Sequence, residues 1–435
     1  MSLIKLINTP IGDFVYDAIT NKITRIFDSL AIEDKLNNNC NEEINELLGR
    51  HCYADESIKI CPPLSYNGLK NLIEHNCSQL VLSITETCNM RCEYCGYHDR
   101  YDDSVKLADM RFSTAQRAIK DFVQRSVSLP EIVISFYGGE PLLRFDFIKQ
   151  CVQYAKDVSY GQHIKFHITT NGLLLDGEIV TFLRENNFVV SVSLDGHRTL
   201  HDRYRITVDK NSTYDIIINN LKNIYYHHTE FFCNNFIFMP VYAPPKNDVL
   251  LFGFFEKCPI NFMLGGLYVT PYFRTIIETQ RDSNEILLTS EQKLQYAKFA
   301  QMNTDSLHKY KFLFGDNKSN CIERAFPAGN CIPACKKVFC NANGDYFLCE
   351  KVSETKENCI GNVIDGIDVS RVYEQYNRMI VKYEQLECNS CWAIHFCSVC
   401  FRDCNNVSKR RCDGIRSRVE QEMIASVVKW GKNET

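Results

Sequence analysis

The densest chemistry in the chain lies in Thr87-Cys88-Asn89-Met90-Arg91-Cys92-Glu93-Tyr94-Cys95. Three thiols in a C-x3-C-x2-C spacing, directly after an apolar run, can converge on one inorganic centre. The count is informative, because a [4Fe–4S] cluster held by three protein thiolates keeps one iron open. An open iron can chelate the amino and carboxylate groups of S-adenosylmethionine, and an electron passed to the sulfonium then breaks a C–S bond. The alternative is a zinc site, usually closed by four ligands, with His98 near enough in sequence to be the fourth.

A second concentration of thiols follows residue 320. Cys331, Gly344 and Cys349 precede Cys388-x2-Cys391-x5-Cys397-x2-Cys400-x3-Cys404, and then Cys412. Of 22 cysteines, 12 lie between Cys321 and Cys412. Disulfide frameworks belong mainly to short secreted chains without a large core. The opening MSLIKLINTPIGDF lacks the apolar stretch of a signal peptide. These thiols are therefore expected to be reduced and to bind metal, with a zinc ribbon as the plain alternative to clusters. Cys40, Cys52, Cys61, Cys77, Cys151, Cys233 and Cys258 are scattered and read as buried small hydrophobes.

Polar turns close the strands that follow the first cysteine triad: Gly138-Gly139-Glu140-Pro141, Thr169-Thr170-Asn171-Gly172 and Ser193-Leu194-Asp195-Gly196, with Arg203 and Arg205 soon after. Cys88, Cys92, Tyr94 and Cys95 resemble the signature of the radical SAM superfamily, and Gly138–Glu140 resembles its GGE motif. The resemblance extends over about residues 79–412. It implies a [4Fe–4S] cluster at the triad that binds S-adenosylmethionine. The backbone of Gly138 and Gly139, helped by Glu140, would meet the methionine ammonium. Ser193 and Arg205 would meet the carboxylate, which a planar guanidinium matches, with Arg203 as competitor. Asp195, or a polar group of the Thr169–Asn171 turn, would meet the ribose hydroxyls. Strand-end caps and surface ion pairs are the simpler readings of these side chains.

The later cysteines resemble the SPASM extension, which carries up to two auxiliary [4Fe–4S] clusters. That implies Cys388, Cys391, Cys397 and Cys412 on one cluster and Cys331, Cys349 and Cys400 on the other. The fourth ligand of the latter would be Cys321, Cys335, Cys340 or an open position. Two residues rather than three separate Cys397 from Cys400, which leaves Cys404 as an alternative to Cys400. Cys331-Ile332-Pro333, Asn343-Gly344-Asp345, Cys349 to Glu354, Ile360-Gly361-Asn362 and Cys391-Trp392-Ala393 are similar to peptide maturases that form thioethers in six-cysteine (sactipeptide or ranthipeptide) precursors. This implies a ribosomal precursor peptide with a leader as partner and an electron donor such as flavodoxin or ferredoxin. Glu350 would be a base, or a surface charge. Anaerobic sulfatase maturation, epimerisation and C–C crosslinking are rival peptide edits; an electron carrier or zinc-stapled binding module is the rival of another class.

The elements that must position these residues are legible from residue 79 onward. QLVLSIT, EIVISFY, IKFHITT, FVVSVSL, FIFMPVY and NFMLGGLYV read as strands, apolar almost throughout as strands covered on both faces are. Helices are expected at FSTAQRAIKDFVQRS, with Ser113 and Gln116 forming a capping box, and near 145–157, 176–186, 212–226 and 246–256. About six βα units predict an α/β fold, a partial (β/α)6 barrel with its site at the C-terminal strand ends. Residues 79–305, closed by a helix near 288–305, form the expected barrel. Residues 1–78 read as a small α+β module with a polar helix near 41–49, suited to capturing a leader peptide by strand addition or to capping the structure. Residues 306–435 read as an irregular SPASM-like domain with a C-terminal helix.

At 435 residues the chain exceeds one ordinary core. It is 45% hydrophobic and 23% charged, with a net charge of −4 and no one-sided basic field. Nucleic acid is not expected as the partner. No run of 18 apolar residues is present to span a bilayer, so a cytoplasmic enzyme without a membrane partner is expected.

Overall fold

Alternating apolar residues at the N-terminus fold into an antiparallel sheet of β1 (Ile4–Thr9), β2 (Gly12–Asp17) and β3 (Lys22–Ile26). The computed structural model describes residues 3–27, 57–95, 106–241, 254, 313, 321–327, 332–397, 399 and 409–430. A short strand, β4 (Lys59–Ile60), follows. The strand expected at NFMLGGLYV and the helices expected near 41–49, 246–256 and 288–305 lie outside the described residues, Phe254 apart.

The chain forms two compact units: Tyr66–Ser283 with Ile332–Tyr373, and Met1–Ser65 with Asn284–Cys331 and Glu374–Thr435. The first unit opens on α1 (Tyr66–His75) and builds a parallel sheet from β5 (Gln79–Thr85), β6 (Glu131–Gly138), β7 (His163–Thr170), β8 (Val189–Val192) and β9 (Phe236–Phe238). Between these strands run α2 (Phe112–Gln124), α3 (Phe145–Val158), α4 (Gly177–Glu185), α5 (Arg198–Tyr204), α6 (Tyr214–His227) and α7 (Thr229–Asn235). Helix α2 begins at Phe112 with Arg111 as its N-cap and no side-chain cap. Ser113 therefore sits inside the first turn, and the expected capping box does not form. Ile132, Ile134 and Phe136 of β6 are fully buried, and Phe188 stacks between Phe136 and Phe166 at 6.0 and 5.3 Å.

In the second unit β10 (Arg324–Ala325) pairs in parallel with β4. In the first, β11 (Lys337–Cys340) pairs in parallel with the free edge of β5, and β12 (Asp345–Phe347), β13 (Cys359–Asn362) and β14 (Gly366–Ile367) extend it antiparallel. Among the described residues the result is a nine-stranded α/β sheet in the order β14-β13-β12-β11-β5-β6-β7-β8-β9. The hairpin is tied to the helical layer: Tyr346 donates to Asp121 at 2.8 Å, and Arg125 forks onto Asp121 while lying over the Tyr346 ring at 5.7 Å.

The cysteine-rich region is more regular than expected. It contains this hairpin, α8 (Val369–Gln385) and α9 (Lys409–Trp430). Each compact unit gathers segments from distant parts of the chain. Phe14, Tyr16 and Ile23 share one core with Trp392, Val419 and Met423. Tyr16 meets the edges of Trp392 and Phe396 at 6.4 and 5.8 Å, and the His395 ring lies 2.8 Å from the Ala18 carbonyl. Residues 332–373, by contrast, belong with the barrel. Among the described residues no helix is long and apolar enough to cross a membrane.

Candidate active site

The loop carrying the triad leaves the end of β5. The Arg91 guanidinium reaches the carbonyls of Cys88 and Met90 at 2.8 and 2.9 Å. Its backbone N–H donates to Ile206 O at 2.8 Å, and that of Glu93 to Tyr204 O at 3.3 Å, which fastens the loop to the end of α5 and the chain just after it. Cys88, Cys92 and Cys95 are half-buried thiols outside any disulfide. The Met90 N–H points at Cys88 Sγ from 3.4 Å. Burial pushes the Cys88 thiol up to about 11 and the Cys92 thiol up to about 12, the latter against the pull of Arg205. As they stand these groups are protonated at neutral pH, so taking up a metal centre must release protons. His98 lies outside the described residues.

The Gly-Gly turn is a steric necessity. Gly139 N donates to Thr85 O at 2.8 Å and Glu140 N to Thr87 O at 2.9 Å. A Cβ on Gly138 would lie 2.1 Å from Thr85 O, and one on Gly139 would lie 2.3 Å from Thr87 O. Gly138 also has φ +131°, a conformation that disfavours other residues. Two glycines thus let the end of β6 press on the backbone just before Cys88.

Glu140 is fully buried and works inward. It accepts from Leu142 N at 3.1 Å, Thr170 Oγ1 at 2.8 Å and Asn171 N at 2.7 Å. Burial raises its carboxyl to about 7 even against these three donors. Its oxygens stitch the ends of β6 and β7 together, a task the expected ligand role did not include. Asn171 passes the restraint on, donating to Asn89 Oδ1 at 2.7 Å and approaching Cys88 Sγ at 3.9 Å. Thr169 is half-buried opposite Ser191, and half-buried Ser193 donates its N–H to Thr170 O at 2.9 Å.

Asp195 and Arg205, expected to meet different parts of one ligand, are paired with each other. Arg205 Nε lies 2.8 Å from Asp195 Oδ2 in a buried ion pair. The Tyr94 hydroxyl donates to the same oxygen, and Val241 N donates to Oδ1 at 2.8 Å. The guanidinium lies over the Tyr94 ring at 5.2 Å. A buried charge is tolerated when paired and hydrogen-bonded, and this clamp ties the triad loop to the ends of β8 and β9. Arg203 instead lies over Tyr204 at 5.4 Å.

A polar chain crosses the sheet below the strand ends. Gln79 donates to Ser135 Oγ at 2.7 Å, and His167 bridges Ser135 and Ser191 at 3.2 and 2.8 Å. Burial lowers the His167 imidazole to about 4, opposed by Glu350. The Lys337 ammonium lies 3.0 and 2.8 Å from the two Glu350 oxygens. Glu350 is largely buried rather than a surface charge. Its carboxyl is lowered by Lys337 despite burial. Nothing in the sequence signals this chain of contacts, since its strands read as apolar almost throughout.

Cys388, Cys391, Cys397 and Cys412 line one cavity, with Tyr383, Leu386, Ile394 and Val399 around them. Burial pushes Cys388 up, and the other three thiols push it further; Cys397 is held up to about 12 by burial. Of the other expected ligands, Cys349 is buried, while Cys331, Cys400 and Cys404 lie outside the described residues. Cys335 is buried near Cys77, and Cys340 is buried with its thiol 3.6 Å from Asn341 O. Cys321 is half-buried against the core that holds Tyr16 and Trp392. Among the described residues no three His, Cys, Asp or Glu side chains are placed to hold a single metal ion.

Residues 82–242, the span from β5 to β9, match the Radical SAM superfamily. The match is to the radical SAM domain and covers less than half of the chain. It is 26% identical over 201 residues to a cysteine-type anaerobic sulfatase-maturating enzyme of Clostridium novyi, covering 43% of this chain and 50% of that protein. It is 35% identical over 130 residues to a serine-type anaerobic sulfatase-maturating enzyme of Bacteroides thetaiotaomicron, covering 29% of this chain and 31% of that one. The alignments thus span half or less of these relatives. The solved structure of native anSMEcpe with bound AdoMet superposes with a TM-score of 0.58 over 82% of this chain and 100% of that one, at 19% identity. That likeness establishes a shared fold.

Proposed function

We propose that this enzyme modifies a peptide, using Cys88, Cys92 and Cys95 to hold a [4Fe–4S] cluster and forming a thioether from a cysteine of a ribosomally made precursor. The observation that carries this reading is that a triad loop clamped at the strand ends is joined, in one chain, by four more thiols lining a single cavity. When bound, the cluster would supply the electron that opens S-adenosylmethionine to a 5′-deoxyadenosyl radical; one hydrogen atom of the peptide would pass to that radical, and the second electron and proton lost as the C–S bond forms would pass to an auxiliary cluster and a base.

The chain's own residues do the rest. Gly138 and Gly139 present backbone to the methionine ammonium beside the triad. Ser193 and Arg205 take the methionine carboxylate, with Asp195 fixing the guanidinium, and Thr169 faces the ribose. Glu350, kept ionised by Lys337, receives the substrate proton. Cys388, Cys391, Cys397 and Cys412 hold an auxiliary [4Fe–4S] cluster, and Cys331, Cys349 and Cys400 serve a second. Flavodoxin or ferredoxin is the proposed electron donor, and the β1–β3 sheet the proposed grip on the leader.

Formylglycine formation in a sulfatase is the second reading. It is favoured by the matched sulfatase-maturating enzymes and by the neighbouring anSMEcpe fold, which has also been solved with a bound peptide. Anaerobic incubation with a cysteine-containing peptide, S-adenosylmethionine and a reductant separates the two. A thioether removes two hydrogens and protects the substrate cysteine from alkylation. An aldehyde that traps a hydrazide would establish the second reading, and an unmodified peptide with no 5′-deoxyadenosine would sink both.

A further inference from the structure

Helix α9 brings two residues to the four-cysteine cavity. Cys412 and Arg416 stand one turn apart, so both side chains leave the same helix face. Among the residues lining the cavity Arg416 is the one that carries a fixed charge; apart from the thiols the other walls are apolar or aromatic. Its Nη1 reaches Cys391 Sγ at 4.0 Å, and its Nη2 bonds Asp413 Oδ1, which orients the fork. The side chain is 19% exposed, so solvent screens it weakly. Arg418 also acts on Cys397 electrostatically, but it does not line the cavity.

A thiolate-held cluster is an anion that gains one more negative charge on reduction. Dry, apolar walls oppose that gain, and cluster potentials respond to net charge, solvent exposure and hydrogen bonds to sulfur. We propose that Arg416 is a positioning residue that raises the reduction potential of the cluster held by Cys388, Cys391, Cys397 and Cys412. It does so by facing the cluster with a fixed cation and an N–H aimed at one ligand sulfur. The inference rests on the cluster assignment above.

The test is a dithionite titration of the full-length, anaerobically reconstituted chain, followed by electron paramagnetic resonance. Cys88→Ala, Cys92→Ala and Cys95→Ala together remove the overlapping triad signal, and a further Cys391→Ala identifies the signal of interest. Arg416→Gln should keep the iron content and make the cluster at least tenfold harder to reduce at a fixed potential, about 59 mV for one electron. Arg416→Lys, which keeps the charge but not the fork, should fall in between. An unchanged potential at full iron content would overturn the inference, as would loss of the cluster in both Arg416 variants, which marks a purely structural role. Iron content undiminished by Cys391→Ala would instead remove the cluster assignment itself.

Discussion

Replacing Gly139 with alanine puts a methyl group 2.3 Å from the Thr87 carbonyl oxygen, 2.6 Å from its carbon and 2.7 Å from Glu86 O. Contacts of this kind do not fall below 3.0 Å, so the two backbones must part by roughly 0.7 Å or more, a distance at which catalytic geometry is lost. All three atoms are main chain, and no flexible side chain can swing away. The same Thr87 oxygen accepts from Glu140 N at 2.9 Å. Losing one buried backbone hydrogen bond costs about 1–3 kcal/mol. The larger effect is on position, because Thr87 immediately precedes Cys88. A misplacement near 1 Å can lower a rate about 100-fold, so a decrease of roughly 10- to 100-fold is expected in 5′-deoxyadenosine formation, with triad iron retained. The assay is anaerobic single-turnover product analysis beside an iron determination on the same sample. A wild-type rate in Gly139→Ala would refute the reasoning, since it would mean that the close approach of β6 to the triad loop has no part in positioning.

Two further outcomes follow from the packing. Glu140 is held at about 7 in the fold against an ordinary 4.5, so the folded chain binds an extra proton between these values. That contribution to stability is present at low pH and is lost as pH rises through 7. It amounts to about 3 kcal/mol at 1.36 kcal/mol per unit. Comparing the unfolding of cluster-free wild type and Glu140→Gln from pH 5 to 8 should show the variant gaining relative stability as pH rises; a pH-independent difference would contradict the burial argument. Tyr16 is fully buried against Trp392 and Phe396, and Tyr16→Ala should cost about 3–5 kcal/mol as other buried aromatic truncations do. Trp392 and Phe396 lie between Cys391 and Cys397, so iron content should fall as well. Full iron content with a lowered melting temperature would show that the N-terminal sheet stabilises the unit without shaping the cysteine site.

Much of the barrel was legible because its strands carry one signal: a mostly apolar run closed by a polar turn. Leu80–Ile84 and Ile132–Phe136 need no partner to be recognised, since either face is covered whichever way the strand points. Helix beginnings were less legible. Ser113 has the chemistry of a cap, yet the chain turns helical one residue earlier, and local hydrogen bonding yields to packing of Ala115, Ile119 and Phe122. The hairpin of β11 and β12 was missed because Lys337–Cys340 is too short for a periodic pattern and pairs with β5, some 250 residues away.

The candidate site divides in the same way. Cysteine spacing is a local property, and C-x3-C-x2-C leaves so little chain between thiols that they can reach one centre wherever the loop lies. The Gly-Gly-Glu turn could be read as a motif, but why it needs glycine could not, because the obstructing atoms belong to Thr85 at the end of β5 and Thr87 in the loop after it. Asp195 and Arg205 were visible as polar residues at a strand end. Their pairing, and the Tyr94 hydroxyl that completes it, depends on segments brought together from positions about 100 residues apart. The sequence by itself therefore determined which thiols are candidates for a metal centre and where along the chain they lie. Only the tertiary structure decided which of them face each other, and what burial does to their protons, since distance and desolvation belong to the packed chain.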